Sequence, residues 1–206
     1  MSFIKLPVQI IVRKITMPNL EVTYPFVVDE ENPGAMQKIN SSILNKVKEL
    51  IKEQGYYQNP KETQVDGYFE IKTNERGVLS LSIINYTYVY HAAHGLTIIK
   101  SLNFNTESGK NYELSELFKP ESDYKKILSD IIEKQIKERQ IPLLDGFTGI
   151  KPDQDYYIAD KALVVYYQLY DLTPYVYGFP QFPISVYEIQ DIINENGLLG
   201  VMLIND

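Results

Sequence analysis

Hydrophobic residues follow two different periods along the chain. Alternating apolar and polar positions over 6–16 and 20–28 predict two strands, and three further alternating runs predict an antiparallel meander over 65–104. Apolar residues recur at helical spacing over 33–53, and a second such stripe covers 121–138. The pattern therefore predicts an α+β fold, in which two amphipathic helices pack on antiparallel sheets.

The C-terminal part of the chain continues this mixture of elements. Residues 155–160 and 162–170 predict paired strands, and the second strand should be central in its sheet because it is apolar on both faces. Residues 141–154 contain two prolines and two glycines and predict a loop. We expect two closely joined subdomains, 1–92 and 93–206.

The composition excludes several kinds of site. The chain has 206 residues and no cysteine, which excludes thiol catalysis, disulfides and thiolate metal sites. No nucleophile-elbow, dinucleotide-binding or Walker sequence occurs. No apolar run is long enough to span a membrane, and the first 20 residues lack the pattern of a secretion signal. A cytoplasmic location is the default expectation, and an extracytoplasmic one follows if a leader has been removed.

The negative charge is concentrated near the C-terminus. The chain carries a formal net charge of −7, and residues 151–206 contain two basic and eight acidic side chains. Such a surface repels the phosphates of nucleic acids and attracts basic proteins. We therefore expect no nucleic-acid partner.

The two histidines, His91 and His94, lie three residues apart at the end of an alternating tyrosine run. On a strand, positions three apart point to opposite faces, so the spacing predicts no shared metal site. The position of His94 beside Gly95 favours a buried imidazole that is held by hydrogen bonds at a strand end. A binding role for His94 is the alternative.

Tyrosine is enriched where the acidic side chains are. Residues 151–206 hold eight of the 17 tyrosines, and the segment 174–183 combines tyrosine, phenylalanine and proline. Tyrosine is common in recognition surfaces because it offers a large contact area at a low entropic cost. These rings either pack in the core with their hydroxyls at its rim, or form a surface that binds a protein or a glycan.

Three motifs together resemble a bacterial domain family of largely unknown function. That family forms the extracytoplasmic part of a lysozyme-sensing anti-sigma factor and the non-catalytic N-terminal part of a peptidoglycan deacetylase. The likeness covers most of the chain, although His91-Ala92 stands where small residues are usual. The motifs are Tyr86-x-Tyr88-x-Tyr90-x-x-Ala93-His94-Gly95, Phe104-x-x-x-x-Gly109-Lys110-x-Tyr112-x-Leu114-x-x-Leu117-Phe118 and Tyr175-x-x-Gly178-x-Pro180-x-Phe182-x-Ile184.

The resemblance implies two packed α+β subdomains without enzymatic activity, catalytic residues, metal or cofactor. It implies His94 and Gly95 as the core of the first motif, and Tyr175, Tyr177 and Pro180 as contacts with a partner. We therefore expect a binding domain that recognises a basic, lysozyme-like protein or a cell-envelope glycan. The alternatives are an enzyme that acts on peptidoglycan or a related polymer, and a structural or assembly protein. The oligomeric state stays open.

Overall fold

The computed structural model describes residues 7–204 and confirms the α+β fold. The chain forms two compact units, of which the first ends at Asn111 and the second begins at Tyr112. The units do not divide at the expected residue 92. The strand after residue 92 pairs over ten positions with the strand before residue 92. That strand therefore belongs to the first unit.

The first unit contains a five-stranded sheet in the order β1-β2-β3-β4-β5. The pairs β1/β2, β3/β4 and β4/β5 are antiparallel, and the last two form the expected meander. The strands are β1 (Gln9–Met17), β2 (Leu20–Val28), β3 (Thr63–Glu75), β4 (Val78–Val89) and β5 (Leu96–Asn105).

The pair β2/β3 is parallel, which corrects the expectation of purely antiparallel sheets. Its register covers three positions, Leu20–Val22 opposite Val65–Gly67. Parallel neighbours need a long crossover connection. The helix α1 (Pro33–Glu53) supplies that crossover, so β3 begins at the same end of the sheet as β2.

Helix α1 has the bounds that the sequence predicts. The Asn32 side chain accepts a hydrogen bond from the Ala35 amide at 3.2 Å, and Pro33 occupies the first turn, where its missing amide costs nothing. The helix ends just before Gly55, which has a φ of +81°. Six residues form its buried stripe: Ala35, Ile39, Ile43, Val47, Leu50 and Ile51.

Two asparagine side chains replace strand partners near the first sheet. The amide of Asn40 bonds to both main-chain groups of Val27, accepting from the nitrogen at 2.8 Å and donating to the oxygen at 2.9 Å. The amide of Asn74 likewise accepts a hydrogen bond from the Val8 nitrogen at 3.0 Å and donates one to the Val8 oxygen at 2.8 Å. Each side-chain amide thus pairs with one main-chain donor and one main-chain acceptor of the same residue.

The second unit contains a three-stranded antiparallel sheet in the order β6-β7-β8. The strands are β6 (Tyr156–Ala159), β7 (Ala162–Tyr166) and β8 (Gln181–Ser185), and the helices are α2 (Tyr124–Arg139) and the short α3 (Leu198–Met202). Residues Leu163–Tyr166 of β7 are buried, as expected for a central strand. Residues 141–154 connect α2 to β6 without a helix or strand.

Helix α2 begins later than the predicted residue 121. Asp123 caps it, because its carboxylate accepts a hydrogen bond from the Lys126 amide at 3.4 Å. Ser122 instead closes a turn, in which its amide and hydroxyl both donate to the Lys119 carbonyl, at 3.0 and 2.7 Å. Ser122 therefore belongs to the turn that precedes the helix.

Candidate functional site

Both histidines lie in the turn between β4 and β5, and both are exposed. The expected buried position of His94 is wrong, because β4 ends at Val89 and His91 turns the chain with a φ of +70°. The expected hydrogen bond is present: His94 Nδ1 lies 2.9 Å from the Gly95 carbonyl oxygen. Within residues 7–204, no three His, Asp or Glu side chains are grouped in a way that could hold a metal ion.

Gly95 is buried and has a packing role. A Cβ atom at this position would lie 2.3–2.4 Å from the outer atoms of the Tyr86 ring, which is closer than non-bonded atoms can approach. The glycine therefore makes room for the ring that crosses it. Tyr86 and Gly95, at the two ends of the first motif, therefore pack against each other. His94 is exposed to solvent.

The most exposed apolar group in the second unit is a loop over residues 170–178, here called the aromatic loop. It presents Tyr170, Tyr175 and Tyr177, and at its tip Val176, whose side chain is 95% exposed. The rings of Tyr170 and Tyr175 lie 5.4 Å apart, tilted by 30°. Aromatic pairs at this separation attract each other, so the two rings support one another at the surface.

The backbone of the aromatic loop is held by hydrogen bonds. Residues Tyr175–Tyr177 form a single 3₁₀ turn, in which the Tyr177 amide donates to the Pro174 carbonyl at 2.9 Å and the Gly178 amide donates to the Tyr175 carbonyl at 3.0 Å. Gly178 ends the turn with a φ of +80°, a conformation that glycine adopts without strain. The aromatic loop therefore has a defined backbone conformation that main-chain hydrogen bonds stabilise.

The stem of the aromatic loop is buried. Leu172 and Thr173 pack inside the unit, and the Leu172 carbonyl accepts a hydrogen bond from the Leu144 amide at 3.1 Å. Pro180 is also buried, and its carbonyl accepts from the Tyr167 amide at 3.2 Å. Of the three residues that the sequence singles out here, Tyr175 and Tyr177 are exposed, whereas Pro180, just after the aromatic loop, is buried.

The other tyrosines of the C-terminal part divide between core and surface. Tyr156, Tyr157, Tyr166 and Tyr167 are buried, which matches the expectation of rings packed in the core. Tyr187 is exposed, and its hydroxyl lies 2.7 Å from Lys161 Nζ. Four of the eight tyrosines are therefore exposed, three of them in the aromatic loop, and the sequence interpretation does not include the exposed Val176.

The aromatic loop belongs to the acidic half of the molecule. From Tyr112 to the C-terminus the chain carries 16 acidic and eight basic side chains, whereas the preceding residues carry 11 and 12. Inside the loop, Asp171 forms an exposed ion pair with Lys151 at 3.4 Å. The charge excess is therefore a property of the whole second unit rather than of one carboxylate cluster in the loop.

Tyr167 lies under the aromatic loop and predicts an alkaline effect on stability. Its hydroxyl is buried without a hydrogen-bond partner among the described residues. Burial, and secondarily the Asp171 carboxylate, raise the pKa of Tyr167 above its usual value of 10.0. Because the unfolded chain loses this proton first, the contribution of Tyr167 is complete below pH 10 and decreases as the pH rises toward the folded-state pKa.

We therefore expect the free energy of unfolding to decrease less steeply above pH 10 in Tyr167→Phe than in the wild type. The measurement is urea unfolding at a series of pH values between about 9 and 11. Tyr187→Phe is the matched control, since it removes an exposed hydroxyl from the same unit. Identical alkaline slopes for the wild type and Tyr167→Phe would contradict the burial argument.

A comparison with known proteins finds a family match inside the second unit. Residues 115–187 match the family model "Protein of unknown function (DUF3298)". The matched segment contains the aromatic loop, whereas His94 and Gly95 lie outside it. No curated protein matches the chain.

Two crystal structures have the same fold. A member of the DUF3298 family from Bacteroides fragilis is 14% identical, with a TM-score of 0.67 and 98% of each chain covered. A DUF3298 family protein from Pseudomonas aeruginosa is also 14% identical with a TM-score of 0.67, covering 92% of this chain and 95% of that one. At this identity the similarity concerns the fold. Within residues 7–204, moreover, the helices are too short or too polar to cross a bilayer.

Proposed function

We propose that this chain is a non-catalytic recognition domain that binds a partner protein through the aromatic loop. The observation that supports the proposal is the fixed, outward position of Tyr170, Tyr175, Val176 and Tyr177 within the segment that matches the family model. Aromatic side chains of this kind dominate the affinity of protein interfaces. A rigid loop also loses little entropy on binding.

The chemistry of the second unit favours a basic partner. Its acidic excess attracts a cationic protein at long range, and this increases the association rate more than the final affinity. Exposed ion pairs such as Lys151–Asp171 contribute at most about 1 kcal/mol, whereas one buried aromatic contact contributes about 2 kcal/mol or more. Most of the affinity should therefore come from the loop, and a lysozyme-like protein, as the family resemblance implies, is the partner to test first.

Two alternatives remain distinguishable from protein recognition. A cell-envelope glycan could stack on the loop tyrosines, and its binding would depend little on salt because the ligand need not be cationic. An enzyme acting on peptidoglycan would use His94, which is exposed. We favour recognition because the aromatic loop lies inside the family segment and His94 lies outside it.

The test is a titration of the full chain with lysozyme at low salt and at about 0.5 M salt, where the Debye length is only a few ångströms. We expect binding at low salt and weaker but measurable binding at high salt, since the apolar contacts of the loop are not screened. An acidic protein of similar size is the control and should not bind. Absence of binding to lysozyme at low salt would overturn the proposal for this partner.

A further inference from the structure

A concave surface lies in the first unit, between the β1–β2 turn and the segment that follows α1. This cleft has a volume of about 530 Å³. Volumes of about 300–1,000 Å³ are typical of pockets for small molecules. Its lining comprises Met17, Pro18, Tyr56, Tyr57, Pro60 and Lys61, together with Asn19.

Hydrogen bonds fix both walls of the cleft. The Tyr56 hydroxyl donates to the Pro18 carbonyl at 2.6 Å, which ties the segment after α1 to the β1–β2 turn. The Asn19 side-chain amide donates to the carbonyls of Pro60 and Lys61, at 3.2 and 3.3 Å. The cleft therefore exists before any ligand arrives, and binding does not have to order it.

The walls of the cleft are apolar. Tyr56 is buried, whereas Tyr57 is 51% exposed and leaves ring surface available for a ligand. The two rings meet edge to face, with centroids 5.6 Å apart, so Tyr57 is supported by its neighbour. Met17, Pro18 and Pro60 add aliphatic surface. A flat apolar group fits this lining.

One positive charge stands among these apolar side chains. Lys61 contributes it, and within residues 7–204 its ammonium group forms no ion pair or hydrogen bond. The adjacent carboxylate, Glu62, does not line the cleft and accepts a hydrogen bond from the Asn59 amide at 2.6 Å. The charge of the cleft is therefore complementary to an anionic group.

We propose that this cleft binds small molecules that join a flat apolar body to a carboxylate. The apolar body would pack against Tyr57 and the prolines, and the carboxylate would face Lys61. The inference does not rest on the aromatic loop, which is in the other unit. Because Lys61 is exposed, its ion pair should change the affinity by no more than about fivefold, and the apolar contact should contribute the larger part.

The test uses phenylacetate as the probe, with the uncharged phenylacetamide and the cationic phenethylamine for comparison. For a ligand of this size we expect a dissociation constant on the order of 1 mM or weaker, which an NMR titration of the isotope-labelled full chain can measure. Backbone amide signals of Met17, Asn19, Tyr56, Tyr57 and Lys61 should move with phenylacetate. Phenylacetamide should bind about threefold to fivefold more weakly than phenylacetate, and phenethylamine should bind more weakly still.

Variants separate the two parts of the proposal. Tyr57→Ala should weaken phenylacetate binding about tenfold or more, whereas Tyr68→Ala, which truncates an equally exposed ring on β3, should not change it. Lys61→Gln should reduce the preference for phenylacetate over phenylacetamide, and the control Lys48→Gln on α1 should preserve it. The proposed site is overturned if the signals near the cleft do not move. Equal binding of acid and amide would overturn the role of Lys61.

Discussion

Replacing Gly109 by alanine is expected to lower the free energy of unfolding of the first unit by about 3 kcal/mol. A side chain at the observed φ of +69° costs about 1–2 kcal/mol by itself. The new Cβ would also lie 2.7 Å from the carbonyl oxygen and 2.9 Å from the Cα of Ala35. These atoms belong to the backbone of α1 and cannot rotate away, so the clash adds about another 1–3 kcal/mol.

Two further glycines separate these causes. Gly55 has a φ of +81° and open space around its Cβ position, so Gly55→Ala should show the backbone term alone. Gly34, in the first turn of α1, has neither a positive φ nor a close neighbour, and Gly34→Ala should be neutral or slightly stabilising. The measurement is urea unfolding of the three variants. Similar losses for Gly109→Ala and Gly55→Ala would show that the contact with α1 does not contribute.

Truncating Tyr175 is expected to weaken lysozyme binding about 30-fold, which corresponds to about 2 kcal/mol. The change removes the ring that contacts the Tyr170 ring and that lies next to the exposed Val176. The side chain is 38% exposed and the 3₁₀ turn is held by main-chain hydrogen bonds, so folding should be little affected. Calorimetric titration of the Tyr175→Ala variant at low salt measures the effect.

Tyr187→Ala provides the matched control for the binding experiment. Tyr187 lies in the same unit but outside the aromatic loop, and it is 43% exposed. Its replacement by alanine does not change the net charge. We expect this variant to bind lysozyme as the wild type does. If both variants lose affinity equally, or if neither does, the loop is not the contact surface. Thermal unfolding of both variants shows whether either loss arises from misfolding.

Local signals explain why some elements are predictable. The bounds of α1 follow from Asn32, Pro33 and Gly55, which act within one turn of its ends. The bounds of β2 also follow from local signals, because the strand lies between a turn at Pro18-Asn19 and the start of α1. By contrast, the direction of β3 relative to β2 depends on where a 21-residue helix returns the chain, and no local pattern encodes that.

The candidate site is partly readable for the same reason. Proline and glycine around Tyr175 and Tyr177 indicate a surface turn, and both side chains are exposed. The burial of Tyr166 is also predictable, because apolar residues on both faces of β7 indicate a central strand. The interpretation of His94 is wrong, since the alternating tyrosines suggest a strand that continues past Val89, where β4 ends.

The side-chain amides of Asn40 and Asn74 each hold one residue of the first unit by two hydrogen bonds, so deamidation would affect both contacts. Hydrolysis of either amide to a carboxylate would convert its NH₂ donor into a second acceptor, placed against the carbonyl of Val27 or Val8. The attraction on that side would become repulsion, while the bond from the neighbouring main-chain nitrogen would persist. Slow deamidation at these two positions would therefore weaken the side-chain contacts that hold the main chain at Val8 and Val27.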